Sequence, residues 1–266
     1  MERNIYEYNP NVVEAPQSAT LSTSSLMTKV YLWMTMALAV TGMTAFYVAG
    51  NESLLYTIAS SRGLIWGIFI AELALVWILS ANIMRLSFVV AGLMFVAYSV
   101  LNGVAMSYIL LAYTESSVAT TFLVTAGTFG AMSVVGFTIK KDLSAFGRLL
   151  IMVLFGLIIA TVVNMFVASS TLDWALTYIG VFLFCGLTAY DTQKMKEILR
   201  QSEGAGDTNM LKIALLCSLS LYLDFINLFL YLLRILATDA ADYKKNEGVG
   251  CKTHEVWHSP LLHIHL

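Results

Sequence analysis

Three acidic residues stand inside long apolar stretches of this sequence, and their chemistry requires an explanation. Glu72 lies in the second apolar stretch, Asp191 late in the sixth and Asp224 midway along the seventh. A charged side chain near the centre of a bilayer costs about 2.5–3.5 kcal/mol on insertion scales, so each one needs a partner, a water-filled cavity or a neutral form. We therefore take these three carboxyl groups as candidate functional residues.

Asp224 is surrounded by apolar residues and has no cation among its neighbours in the chain. It must therefore face the interior of a helix bundle. Asn227 follows at position i+3, shares the helical face of Asp224 and offers an amide donor. A hydrogen bond between helices from a protonated Asp224 is the structural alternative. A functional role is favoured because Asp191 supplies a second carboxyl group on the preceding helix.

Asp191 is followed three residues later by Lys194, so the two could form an ordinary solvated ion pair. If the helix continues through 195–199, Asp191 instead lies well inside it. With a rise of about 1.5 Å per residue, the predicted helix ends place Asp191 and Asp224 about 7 Å apart in depth, which does not demonstrate contact. If they do meet, the two carboxyl groups should titrate as a pair that shares one proton. Loss of that proton would separate the helices or create an oxygen cluster suited to a hard cation such as Ca²⁺.

Three further polar positions have more than one interpretation. Glu72 either lines the same path as the aspartates or binds a neighbouring helix. Arg85 lies at a short turn and can extend its side chain to the membrane surface. The stretch 140–144 reads as a charged cytoplasmic turn in which Asp142 or Ser144 caps the next helix.

The composition identifies the elements that must hold these residues. Of the 266 residues 58% are hydrophobic and 12% charged, whereas soluble domains average roughly 45–50% and 25%. Apolar stretches of about 20 residues match the bilayer core, and no alternating strand signal is present. We predict an all-α polytopic membrane protein, a bundle of seven transmembrane helices with six as the main alternative. The predicted helices are 28–49, 63–84, 86–112, 118–139, 149–168, 174–193 and 213–236.

Outside these spans the chain is polar. We predict a cytoplasmic amino tail at 1–26, the membrane domain at 27–236, and a carboxyl tail at 237–266 that is disordered or partly derived from an expression vector. Cys251, His254 and His258 have the residue types of zinc ligands, but a second cysteine pair is missing. The three cysteines show no disulfide pattern. The net charge of -2 gives no basic surface for nucleic acid.

The basic residues predict the orientation of the bundle, because loops rich in lysine and arginine stay in the cytoplasm. Only Arg62 falls in the short loops on the side opposite the amino terminus, and four basic residues lie at or beyond the last span. A cytoplasmic amino terminus collects ten on its own side: Arg3, Lys29, Arg85, Lys140, Lys141, Arg148, Lys194, Lys196, Arg200 and Lys212.

Three segments carry a resemblance to a known family: 140–144 (KKDLS), 189–193 (AYDTQ) and 219–229 (LSLYLDFINLF). Over roughly residues 25–236 the chain resembles the Bax inhibitor-1 family, and the bacterial members most of all. The resemblance implies seven helices with one at the centre, in a bacterial inner membrane. It also implies a pH-sensitive calcium leak controlled by an aspartate pair, which the matching motifs place at Asp191 and Asp224. Ca²⁺ is then the bound or transported ion.

The resemblance further implies an arginine near the end of the second helix that holds the closed state by pairing with the aspartates. Counted from Glu72, that position falls at Ile83, and the nearest arginine is Arg85.

Three functions compete at this point. The leading one is a proton-gated Ca²⁺ leak without enzymatic activity. The second is a non-catalytic regulator that binds a membrane-anchored AAA protease or another membrane partner, with the amino tail as the docking segment. The third is an intramembrane aspartyl protease, which the bulky residues before Asp224 disfavour, because such proteases need small residues there to admit a substrate backbone.

Overall fold

The computed structural model describes residues 22–202 and 206–246. These ranges contain eight α-helices and no β-strand. The helices are α1 (Thr23–Ala49), α2 (Glu52–Ser60), α3 (Arg62–Asn82), α4 (Phe88–Ala112), α5 (Glu115–Thr138), α6 (Ser144–Val167), α7 (Ser170–Gln201) and α8 (Asp207–Asn246).

Seven of the eight helices, all except α2, are long and apolar enough to cross a membrane. The prediction of an all-α bundle with seven spans is therefore confirmed over the alternative of six. Helix α2 has nine residues, which corresponds to about 13 Å and is too short to span a bilayer. It follows the first span and was not predicted.

Three helix boundaries differ from the predicted ones in ways that affect the site or the tails. Helix α7 continues to Gln201, so Asp191 lies inside a continuous rod rather than at its end. Helix α1 begins at Thr23 and α8 continues to Asn246, inside the segments expected to be tails. Cys251, His254 and His258, which have the residue types of zinc ligands, lie outside the described residues.

Polar side chains define where several helices start. The side chains of Ser22, Asn51 and Thr114 accept hydrogen bonds from backbone N–H groups in the first turns of α1, α2 and α5. Such caps satisfy donors that have no partner within the helix. In a membrane protein they allow a helix to begin close to the apolar layer.

Helix α8 lies at the centre of the bundle. It packs against α1, α4, α5 and α7, whereas α3 lies against α4, and α6 lies against α7. Within the most apolar stretch of each span, 67% of the residues are buried in α8 but 11% in α3. The central helix implied by the family resemblance is therefore α8, the helix that contains Asp224.

Glycines permit the closest helix contacts. A Cβ atom at Gly103 would lie 2.6 Å from the Thr41 backbone oxygen, where α4 crosses α1. At Gly136 a Cβ atom would overlap the carbonyl of Ala189, where α5 crosses α7. Small residues at such crossings let backbones approach closely in membranes. The α5–α7 contact lies two residues before Asp191, so this part of α7 packs closely against α5.

The packing at Gly103 gives a direct test of the α1–α4 crossing. Gly103→Ala should lower the thermal unfolding midpoint in detergent, because overpacking a tight contact costs about 1–3 kcal/mol. Gly67→Ala is the matched control, since a Cβ atom at Gly67 has no other atom within 4 Å. Equal midpoints for the two variants would contradict the described crossing.

Candidate functional site

Asp224 and Asp191 are brought together at the contact between the central helix α8 and its neighbour α7. Asp224 is 6% exposed, and its Oδ2 atom has no hydrogen-bond partner among the described residues. The Asp191 carboxyl group is close enough to interact electrostatically with Asp224. The two residues singled out from the sequence therefore share one site in the membrane domain.

Along the membrane normal, Asp191 lies between the levels of Cys217 and Asp224 of α8. It interacts electrostatically with Asp224 and also with Cys217, which precedes Asp224 by two helical turns. Lys194 is within electrostatic range of both Asp191 and Cys217, and its ammonium lies 5.7 Å from the centre of the Tyr190 ring. Cys217 is thus a buried thiol at this site that the sequence reasoning did not assign.

Two other predicted participants lie apart from the pair. Asn227 is half-buried, and no hydrogen bond joins it to Asp224 in the described part of the chain. Arg85 is exposed at the α3–α4 turn and forms no ion pair within residues 22–202 and 206–246. The cation that joins this turn to α8 is Lys212, which is 9% exposed and donates from Nζ to the Met84 carbonyl oxygen at 3.3 Å.

Glu72 belongs to a second buried polar group on another side of α8. It is 4% exposed and interacts electrostatically with Tyr98 and Tyr222. The Tyr222 hydroxyl lies 2.7 Å from Oγ1 of Thr41, and the Tyr98 and Tyr222 ring centres are 5.7 Å apart. Residues two apart on a helix face different directions. Tyr222 and Asp224 therefore point in different directions, so Glu72 and the aspartate pair belong to separate polar groups.

An ion pair between Arg234 and Asp173 joins α8 to the start of α7. Asn164 of α6 adds a hydrogen bond from Nδ2 to Oδ1 of Asp173 at 3.4 Å, and its own Oδ1 accepts from the Ser169 N–H at 3.1 Å. The sequence reasoning missed this group. A usable signal was present, because an early position on α7 and a late position on the antiparallel α8 lie at the same end of the bundle.

Gln193, two residues after Asp191, holds the loop between α5 and α6. Its Nε2 donates to the carbonyl oxygens of Ile139 at 3.1 Å and Lys141 at 2.8 Å, and its Oε1 accepts from the Leu143 N–H at 2.8 Å. Lys196 donates from Nζ to the Phe137 carbonyl oxygen at 3.1 Å. A movement of α7 at Asp191 would therefore move this loop as well.

Replacing Gln193 should release the loop. Gln193→Ala removes all three hydrogen bonds, so amide exchange at Leu143 should become faster than in the wild type. Gln201→Ala is the control, because the Gln201 amide donates to Glu197 on its own helix and its loss should leave residues 139–143 unchanged. Unaltered Leu143 exchange in Gln193→Ala would contradict the described contact.

Asp142 satisfies the first backbone N–H of α6, as the sequence predicted, although the N-cap residue itself is Leu143. Its Oδ1 accepts from the Ser144 hydroxyl at 2.6 Å and from the Ser144 backbone N–H at 2.9 Å. The hydroxyl and then the backbone hydrogen bond lower the pKa of Asp142, with a further contribution from the charge of Arg148. A carboxyl with a lowered pKa in the folded state stabilises the fold above its unfolded pKa, and that contribution disappears as the pH falls through the folded value.

The Ser144 hydroxyl should account for the largest part of this effect. In Ser144→Ala, we expect the pKa of Asp142 to rise towards its ordinary value, measured by NMR titration of the carboxyl. Ser202→Ala serves as the control, since the Ser202 hydroxyl donates to the Ile198 carbonyl oxygen instead. A titration of Asp142 that does not move in Ser144→Ala would show that the hydroxyl is not the cause.

Binding of Ca²⁺ by the acidic pair stays a prediction. Among the described residues no group of three or more His, Cys, Asp and Glu side chains is arranged to hold a metal ion. Two carboxyl groups supply hard oxygen ligands, and Ca²⁺ takes six to eight such ligands, including water. A calcium ion at Asp191 and Asp224 would therefore retain most of its water and bind weakly.

These features define a class of protein: a polytopic helical membrane protein whose central helix contains a buried aspartate near a second aspartate on the preceding helix. Residues 23–241 match the family model described as inhibitor of apoptosis-promoting Bax1. Inner membrane protein YbhL of Escherichia coli K12 is 49% identical over 209 residues, covering 79% of this chain and 89% of that protein. An uncharacterized protein of Deinococcus radiodurans is 46% identical over 211 residues, covering 79% and 89%. The chain belongs to the Bax inhibitor-1 family, and both of these relatives are bacterial.

Proposed function

We propose that this protein is a pH-sensitive calcium leak of the bacterial inner membrane, gated by a proton that Asp191 and Asp224 share. The observation that supports this most strongly is the position of Asp224. Its carboxyl group is buried in the central helix, its Oδ2 lacks a hydrogen-bond partner in the described part of the chain, and it interacts with Asp191. A proton shared with Asp191 would satisfy that oxygen.

The gating argument follows from charge. With one proton between them, the two carboxyl groups carry a single negative charge and can form a short charge-assisted hydrogen bond that holds α7 against α8. When the proton leaves, two negative charges remain. Two unit charges about 4 Å apart repel by about 4 kcal/mol at an effective dielectric constant of 20. A rise in pH therefore favours separation of the two helices and an open path.

The surroundings of the pair support a route towards the side of the amino terminus. Asp191 interacts with Cys217 and Lys194, which lie beyond Asp224 in that direction. Basic residues cluster at this end of the bundle, at the α5–α6 loop, late in α7 and early in α8, which supports a cytoplasmic amino terminus. The relative YbhL is named an inner membrane protein, which supports the proposed location.

The same residues support a role without catalysis. Leu221 and Tyr222, which precede Asp224, are completely buried. They are also bulky, whereas cleavage by an aspartate pair needs small residues before the carboxyl group to admit a substrate backbone. The pair is accordingly assigned to proton and cation binding.

A flux assay tests the proposal. In liposomes that contain a calcium-sensitive dye, the wild-type protein should pass Ca²⁺ faster as the pH rises across neutrality. Asp224→Asn and Asp191→Asn each leave a single ionisable carboxyl at the site, so the steep pH dependence should be lost in both variants.

Glu197→Gln is the matched control, because it makes the same chemical change at an exposed position on α7. It should retain the wild-type pH profile. Flux no greater than in empty liposomes would refute the leak. A leak whose pH profile is the same in the wild type and both asparagine variants would refute gating by the pair.

A further inference from the structure

An apolar groove runs along the membrane-facing surface between α1 and α5. These two helices diverge, so that residues of the central helix form the floor of a cavity of about 890 Å³. We call it the α1–α5 groove. Its walls and floor include Gly42 and Phe46 of α1, Val118 and Phe122 of α5, and Phe225 and Phe229 of α8. The volume lies within the roughly 300–1,000 Å³ that is typical of small-molecule sites.

The groove opens to the lipid rather than to the interior of the bundle. Met43 is 65% exposed and Leu123 is 70% exposed, and both line it. Aromatic rings in edge-to-face contact line the groove, with the Phe122 ring centred 5.5 Å from the Phe225 ring and 6.4 Å from the Phe229 ring. An occupant must therefore be apolar along its length.

The length of the groove decides between a lipid and a partner helix. It extends along α1 from Thr35 to Phe46, which corresponds to about 16 Å at a rise of about 1.5 Å per residue. The hydrocarbon core is about 30 Å thick, so this length matches one leaflet. A transmembrane helix of a partner protein would need a surface that crosses both leaflets, whereas an acyl chain ends within one.

Glu115 gives the groove a charged rim. It is the first residue of α5, lines the groove and is exposed. A residue at the end of a span lies at the level of lipid headgroups. A carboxylate there attracts an ammonium group and repels an anionic headgroup.

We propose that the α1–α5 groove binds the acyl chains of a membrane lipid whose headgroup carries an ammonium group, with Glu115 as the headgroup contact. The site is separate from the aspartate pair and does not depend on the calcium leak. The groove is nevertheless next to the aspartate pair, because Phe225 of the groove directly follows Asp224 in α8. The bound lipid fills the space that the divergence of α1 and α5 leaves over the central helix.

Photoaffinity labelling tests this site. The protein is reconstituted with trace phospholipid that carries a photoreactive diazirine in one acyl chain, and the headgroup is either ethanolamine or glycerol. Labelled peptides are then located by mass spectrometry. Labelling should concentrate on the groove residues of α1 and α5, and the ethanolamine probe should label several times more than the glycerol probe.

Two variants separate the apolar groove from its rim. Gly42→Phe should block labelling by both probes, because a Cβ atom at Gly42 has open space around it and the new ring would enter the groove. Gly67→Phe is the control, since Gly67 on α3 has equally open surroundings and lies outside the groove. Glu115→Gln should leave labelling in place but make the two probes equal. Thermal unfolding in detergent checks that each variant folds.

Four results would overturn the proposal. Labelling that spreads evenly over all lipid-facing helices, or that persists in Gly42→Phe, would show that no lipid is held in the groove. Equal labelling of the wild type by the two probes would show that the ammonium preference is wrong. Cross-linking of a photoreactive amino acid at position 43 to a second polypeptide would show that a protein occupies the groove instead.

Discussion

The structure depends on one constraint: a carboxyl group in the middle of a membrane-spanning helix has to be kept away from lipid. Asp224 meets it because α8 is the central helix, surrounded by α1, α4, α5 and α7. The helices outside this layer are mostly lipid-facing and tolerate apolar residues on nearly every side. A central helix, by contrast, can contain polar residues on several faces, and α8 does so at Lys212, Tyr222, Asp224 and Arg234. Four of the other six spans pack directly against this helix, and α3 and α6 pack on the outside of that layer.

Helix α8 makes polar contacts with different neighbours at its two ends and in its middle. At one end Lys212 holds the α3–α4 turn, and at the other Arg234 pairs with Asp173 of α7. Between these ends the Tyr222 hydroxyl fixes α8 to Thr41 of α1. The contact of Asp224 with Asp191 is the one that changes with protonation in our proposal. The contacts to α1 and to the α3–α4 turn do not involve α7, whereas Arg234 holds the start of α7. In our proposal the movement is therefore confined to the end of α7 that contains Asp191. Helix α5 would move with it through the crossing at Gly136, and Gln193 would transmit the movement to the α5–α6 loop.

Much of this architecture could be predicted from the sequence, because apolar length is a strong signal and an intramembrane carboxyl is rare. The seven spans followed from the first fact, and the second singled out Asp191 and Asp224, whose functional role stays a prediction. The depth estimate for the pair was less useful, because α7 extends past its apolar stretch to Gln201. Helix α2 was missed because nine residues carry too little periodicity. The roles of Lys212, Cys217 and Arg234 depend on which residues of other helices face them, and a single sequence does not contain that information. Arg85 shows the opposite case. It has the residue type expected of an arginine that pairs with the aspartates, and it lies near the expected position, but its side chain is exposed.

The shared proton is the central claim, and the separation of the two carboxyl groups tests it most directly. Structures determined in lipid at acidic and at alkaline pH would give this distance in each state. Our account predicts that at acidic pH one oxygen of Asp191 lies about 2.5–2.7 Å from one oxygen of Asp224, the length of a charge-assisted O–H···O⁻ bond. At alkaline pH the distance should increase as α7 moves away from α8. A distance between the two carboxyl groups of more than about 6 Å at both pH values would contradict the account, because charges interact strongly only within that range.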